Sequence, residues 1–516
     1  NDSYEQDYLF QSISKISKDL IFKQRAKLIS FIIKDFNDFE ISKKDLPDIF
    51  IDQYKQIITS SSEIFLPPSG ETIEIPLKLN LKIIHSELFT HLKKVLKSEN
   101  AEVIEDRLKL FGIKAYRFGE VFRRIISDFN KNNNQKKGRK EPIKKLIHDL
   151  YDLYRLNKDK EGIDINIPSS TSIPILNKNN SETKVGNVYL GNEYGNKLCE
   201  ILYEYNKDKL VGSPKILGID DKINSVEFLK WLGVAKYPRK KLIKAGNEYG
   251  HFAIKHFPYK EKRIYGYDAS LTSFRKLQKH GYIINEIIVE TIEDLDNILK
   301  NNSNENILFW LNNDSRITET IESNKNSQIK FTIRRKLYNA YIRNSDLPSF
   351  LLWQIKRLSW VETETGKNSN PTDCCISKTI TKDFSPFIEI PKINYNEKLF
   401  KNSKISKEDV KYVLLKIGVN KEISDFSTDT IYHMLSNLEG IDDGGKKAKL
   451  IYRELAENLN VQKINKNSNI YRNFIIDGSV FCKKSKTYKY EKVENVYYVE
   501  DKTFGEDIIN QFFTIE

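Results

Sequence analysis

Cysteine and methionine are scarce in this chain. Its four cysteines, Cys199, Cys374, Cys375 and Cys482, include one adjacent pair and no CxxC spacing, which argues against a disulfide framework and against a zinc site. Free thiols in a reducing cytoplasm are the expectation. Met434 is the single methionine, the first residue is Asn1, and no charged stretch followed by an apolar one marks a signal segment. A piece of a longer protein is therefore expected. Also missing is any run of roughly 18 apolar residues, the length a membrane-spanning helix needs, so no bilayer crossing is expected.

The usual signatures of chemistry are absent as well. There is no GxxxxGK[ST] or GxGxxG to cradle phosphates, and no GxSxG elbow to expose a nucleophilic serine. The histidines His85, His91, His148, His251, His256, His280 and His433 form no HExxH or i, i+4 pair of the kind that holds zinc, and they read as structural. A metal-dependent nuclease needs an acidic residue followed by Glu-x-Lys on a strand, where alternation turns both charges to one face. Glu182 and Lys184, after Asp164, come closest, but NKNNSETKV reads as a polar turn. In IEIPK, Glu389 and Lys392 are three apart, on opposite faces. No catalytic residue and no metal ligand is assigned.

What is present is length, positive charge and recurrence. A chain of 516 residues is too long for one core and implies three or four domains at roughly 100 to 200 residues each. An apolar fraction of 39% with 11% aromatics is ordinary for a globular protein. Three segments end a short apolar helix on glycine: VIEDRLKLFGI (103–113), SVEFLKWLGV (225–234) and KEDVKYVLLKIGV (407–419). A left-handed residue after a helix lets the next side chain fold back onto the last turn, pairing Leu108 with Ile113, Leu229 with Val234 and Leu414 with Val419. Upstream of each lies a two-strand pattern with a polar turn: IFLPPSGETIEIPL from Ile64, SIPILNKNNSETKVGNVYLG from Ser172, and LSWVETETGKNSNPTDCCIS from Leu358. A fourth begins at Asn473. Hairpin and helix advance together, which is the mark of a degenerate repeat.

The fold class expected is α+β, multidomain and mostly helical, with repeated modules of a β-hairpin or small sheet packed on helices. The expected divisions are 1–160, an N-terminal helical module with the first hairpin; 161–330, a second module with a βαβ-like part; 331–465, a third; and 466–516, a C-terminal β module. Within them, residues 4–37 read as an amphipathic helix pair and 115–157 as two helices around a polar loop from Lys131 to Pro142. YIINEIIVE and NILFWLN read as buried strands flanking a helix. Residues 331–357 read as helical, with Ser345 or Asp346 capping the helix that carries Trp353. GIDDGGKKAK reads as the turn of a helical hairpin within 428–459, Asp442 or Asp443 capping the second helix.

The net charge of +13 has one local focus, residues 236–263. Lys236, Arg239, Lys240, Lys241, Lys244, Lys255, Lys260, Lys262 and Arg263 stand there against Glu248 and Glu261, with Tyr237, Phe252, Phe257 and Tyr259 interleaved. Such a stretch neutralises phosphates and stacks bases. It is the candidate nucleic-acid contact, with a solvated connection as the alternative.

Four phrases carry a family resemblance: VYLGNEYG (188–195), LGIDDKINSVEFLKWLGVAKYPR (217–239), LSWVETETGKNSNPTDCCI (358–376) and LEGIDDGGKKAKLIYREL (438–455). They resemble large bacterial proteins with a sacsin-like ATP-binding module, relatives of sacsin and of the ninety-kilodalton heat-shock chaperone, in the region after the ATPase. The resemblance implies a GHKL module that binds ATP and magnesium, which is missing from this chain: IDDGG at 441–445 lacks the magnesium-binding Asn and the glycine-rich lid. It further implies a non-catalytic scaffold that binds a protein partner or client in cytoplasmic anti-phage defence. Nucleic-acid binding and a divergent nuclease are the alternatives.

Overall fold

A buried polar residue opens the turn of three of the β-ribbons, which share one turn pattern. The molecule is described from a computed structural model that covers residues 2–36, 45–59, 64–68, 73–76, 79, 81–133, 139–161, 163–167, 172–219, 222–255, 283–325, 329–335, 338–342, 348–385, 387–459, 469–484, 486–498 and 513–515. In the ribbon of Pro174–Leu176 with Glu182–Lys184, the Asn177 amide donates to the Ser181 carbonyl at 2.9 Å and the Asn180 amide to the Asn177 carbonyl at 2.9 Å. Asn180 is left-handed, at φ +56°. Asp52, Gln56 and Lys55 repeat this pattern in Phe50–Ile51 with Ile57–Ile58, as do Thr363, Lys367 and Gly366 in Val361–Glu362 with Asn368–Ser369. The opening side chains Asp52, Asn177 and Thr363 are all buried. Asp52 Oδ1 accepts from the Tyr54 and Gln56 amides, and Asn177 Oδ1 from those of Asn179 and Ser181. Each satisfies donors that burial would otherwise orphan.

The same register continues beyond each turn. The residue after the opener donates to a returning segment: Gln53 to Ile83, Lys178 to Leu210 and Glu364 to Ile390, at 2.8 to 2.9 Å. The returning segment donates back through His85 to Ile51, Gly212 to Leu176 and Lys392 to Glu362. A middle segment lies parallel beside it, Ile64–Phe65 in the first module and single bridges at Tyr189 and at Cys374 in the next two. Two short helices follow, and a closing segment then pairs parallel with the middle one, at Ile113–Lys114, Ala235 and Asn420.

The glycine-ended helices deliver that closing segment. The Val234 amide reaches back to the Leu229 carbonyl at 2.8 Å and that of Val419 to Leu414 at 3.0 Å, around Gly233 at φ +104° and Gly418 at φ +103°. The chain leaves the helix and enters the sheet two residues after the glycine. The first module differs: its helix ends at Arg107, and a 3₁₀ turn at Lys109–Phe111 leads to Gly112 at φ +61°.

A fourth copy follows the same order. Its ribbon, Ser479–Lys484 with Thr487–Lys492, sits beside Phe513–Ile515, which pairs parallel with Val496–Tyr498. The α+β architecture of repeated small sheets packed on helices is therefore present. Contacts divide the chain into two compact units, Asn1–Lys236 with the first two modules and Tyr237–Glu516 with the last two. Each has its own apolar packing: two clusters in the first, one with Ile29 and Leu92 and one with Ile147 and Phe228, and a cluster with Phe384, Leu438 and Ile451 in the second. No helix among the described residues is long and apolar enough to cross a membrane.

Several local expectations change. The first ribbon lies at 50–58; Ile64–Phe65 is a middle strand, and Pro67 and Pro68 after it lack the amides a hairpin partner requires. NILFWLN is a helix, Asn304–Asn313, capped by the Ser303 hydroxyl accepting from the Asn306 amide, so no βαβ unit forms. A buried apolar run of this length is ambiguous until its cap is seen. Ile329–Arg335 and Tyr338–Ile342 are strands, and the helix that carries Trp353 is only Phe350–Arg357, capped by Ser349. Ser345 and Asp346 lie outside the described residues. The polar loop is shorter than expected, because its flanking helices, Phe118–Asn133 and Lys140–Asn157, extend into it. Glu182 and Lys184 stand on a strand, where Glu182 meets Arg139.

Candidate functional site

The basic segment begins at the division between the two units. Lys236 ends the first unit, where its carbonyl accepts from Asn196 Nδ2 at 2.6 Å and Cys199 Sγ at 3.2 Å. Arg239 immediately precedes the strand Lys240–Lys244, and its carbonyl accepts from the Glu293 amide at 2.8 Å. That strand is one edge of an antiparallel sheet with Ile283–Ile292, Ile329–Arg335 and Tyr338–Ile342. Lys240 is half-buried and paired with Glu290 at 2.7 Å, whereas Lys241 and Lys244 are exposed. Lys260, Lys262 and Arg263, with Phe257 and Tyr259, lie outside the described residues.

The described aromatics of this segment have protein neighbours. The Arg316 guanidinium lies 4.8 Å from the Tyr237 ring, and Phe252 packs against the rings of Tyr249 and Trp353. The structure thus gathers Arg239, Lys240, Lys241 and Lys244 at one sheet edge. Lysines at an exposed edge also serve to prevent edge-to-edge pairing.

A second arrangement has no counterpart in the sequence motifs. In the second unit a cleft of about 890 Å³ is lined by Phe252, Trp353, Lys356 and Arg357 on one side and by residues 415–430 on the other. The Lys356 stem lies on Gly418, the glycine that ends the helix of the third module. A Cβ there would come within 3.3 Å of the lysine Cγ. Burial holds the Lys356 ammonium below the ordinary lysine pKa. Arg357 lies over the Trp353 ring at 5.0 Å and pairs with Glu248 at 3.2 Å, an exposed pair. Only three-dimensional closure of the module reveals this site, because Lys356 and Lys421 are 65 positions apart (421 minus 356).

Several of the groups weighed for chemistry are held in structural roles, while His256, His280 and the His251 side chain lie outside what the structure describes. All four cysteines are buried free thiols, and burial pushes the Cys374 thiol up to about 12 and those of Cys375 and Cys482 upward, away from the reactive thiolate. His85 caps a helix by accepting from the Glu87 amide, and His148 meets Asp152 at 3.2 Å. IDDGG is built as a turn: Asp442 accepts from the Lys447 and Ala448 amides, and a Cβ on Gly445 would strike the Phe481 ring at 2.0 Å. Among the described residues no group of three or more His, Cys, Asp or Glu is placed to hold a metal ion. No protein-family model, curated protein or solved structure matches the chain.

Proposed function

We propose that this chain is a non-catalytic scaffold that binds a protein partner or client, as the region following the ATP-binding module of a sacsin-like, chaperone-type ATPase in cytoplasmic anti-phage defence. The recurrence of one strand register in successive modules supports this reading. Modules that each close their own ribbon, returning strand and helices form a frame whose surfaces repeat along the chain, as partner-binding repeat proteins require. ATP and magnesium belong, on this reading, to a module elsewhere in the whole protein, and the work of this chain is to transmit or receive its rearrangement.

The test is phage challenge of cells that carry the whole gene, scored by plaque formation. Gly233→Val and Gly418→Val, which block the helix-to-sheet passage of two modules, are expected to abolish protection. Glu182→Ala with Lys184→Ala, the nearest approach to a nuclease pair, is expected to leave it intact. Protection that survives both glycine variants, or magnesium-dependent DNA cleavage by the purified chain, would sink the scaffold reading.

A further inference from the structure

Lys356 stands out among the basic residues of the second unit. Its ammonium is half-buried, no carboxylate among the described residues lies within ion-pair distance of it, and burial depresses its pKa. A desolvated charge without a partner destabilises a protein unless something else uses it. Lys356 borders a cleft, and that cleft gathers further positive charge. Among the described residues, three cations, Lys356, Arg357 and Lys421, line it against one carboxylate, Asp425. Asp425 is itself turned to its own loop, accepting from the Lys421 and Glu422 amides at 2.9 Å. The exposed pairs Arg357 with Glu248 and Lys421 with Glu422, at 3.2 and 3.3 Å, are weak competitors for an incoming anion.

The rest of the wall favours a ligand with two ends. Phe252 and Trp353, with ring centroids 6.2 Å apart, supply an aromatic surface beside the cations. Ser427 and Thr430, whose hydroxyls lie 2.8 Å apart, supply polar groups opposite. The volume of about 890 Å³ falls within the range of small-molecule sites.

We infer that this cleft binds a small phosphate-bearing molecule with a planar or apolar portion, the phosphate at Lys356, Arg357 and Lys421 and the planar part against Phe252 and Trp353. Gly418 lines the site between Thr372 and the lysine stem, each of which a Cβ there would approach to 3.2 to 3.4 Å. The partner-binding reading neither requires this site nor excludes it.

Isothermal titration of the whole chain with inorganic pyrophosphate and with adenosine monophosphate tests the inference. Both are expected to bind, the nucleotide more tightly because it also reaches the aromatic wall. Lys356→Met should lose roughly tenfold or more in affinity for both, as expected when a charge-assisted hydrogen bond is removed. Lys94→Ala, exposed on the helix Ser86–Leu96 of the first unit, should leave both unchanged. A thermal melt of Lys356→Met shows that the variant is folded, and Lys356→Gln repeats the test with a polar side chain. Failure of both ligands to bind at millimolar concentration, or undiminished binding by both Lys356 variants, would overturn it.

Discussion

Asn177 is buried at the opening of its ribbon turn, and its Oδ1 accepts two backbone amides while its Nδ2 donates to Asp208 at 2.8 Å. Asn177→Leu leaves those groups unpaired and should cost about 2 to 4 kcal/mol, read by urea unfolding. Lys356 works in the opposite direction. Its folded pKa is depressed, so the folded state pays for the charge at every pH below that value. The cost fades as pH rises toward the ordinary lysine pKa of the unfolded chain. Lys356→Met is therefore expected to raise Tm at neutral pH, and the gain should shrink on titration to alkaline pH. Arg25 shows how little of this the sequence displays. It sits in the amphipathic helix Phe22–Phe36 as one basic residue among several, yet it is buried, its guanidinium donating to the carbonyls of Ser17, Leu20 and Ile49. Nothing local marks it, because its partners lie on two other stretches of chain.

The glycine stops were legible because their cause is local. The left-handed residue and the apolar contact that spans it both fall within six consecutive residues, and Leu229 to Val234 and Leu414 to Val419 adopt the expected closure. Gly233→Ala should cost about 1 to 2 kcal/mol, since alanine resists positive φ, and a matched loss is expected for Gly418→Ala in the same unfolding assay. The polar turns at Asn177 and Thr363 were legible for the same reason. The first ribbon was not: FIDQYKQII is too short a pattern to outweigh the longer apolar stretch from Ile64, and only pairing with Lys82–Ile83 and Ile113–Lys114 shows Ile64–Phe65 to be a middle strand. NILFWLN failed for want of a period, being apolar on every face of a buried helix. At the basic sheet edge, Lys240 is engaged by Glu290. Arg239→Ala, Lys240→Ala and Lys241→Ala together are expected to leave duplex DNA affinity and its salt slope essentially unchanged in filter-binding titrations. A slope that falls by about one per lysine removed would favour the nucleic-acid reading.

At the scale of the molecule, the two units have separate cores, with Phe228 and Leu229 deep in the first and Phe384 and Leu438 deep in the second. Residues 1–236 expressed alone are expected to fold, giving helical circular dichroism and one cooperative melt; a featureless melt would show that this unit depends on the rest of the chain. Recurrence was visible in the sequence because hairpin turns and helix ends each depend on a few adjacent residues, so the second and third copies leave matching traces of both, whereas the first ribbon lies upstream of the stretch from Ile64 that was read as a hairpin. The sequence alone thus determined the α+β class, the modular repeat and two of the three glycine closures. Tertiary structure alone decided the parallel order of middle, returning and closing strands, the burial of Arg25, and the cleft that joins Lys356 to Lys421. Those features depend on segments tens of residues apart meeting in one register, and no local propensity encodes which distant segment a strand edge or a lysine will meet.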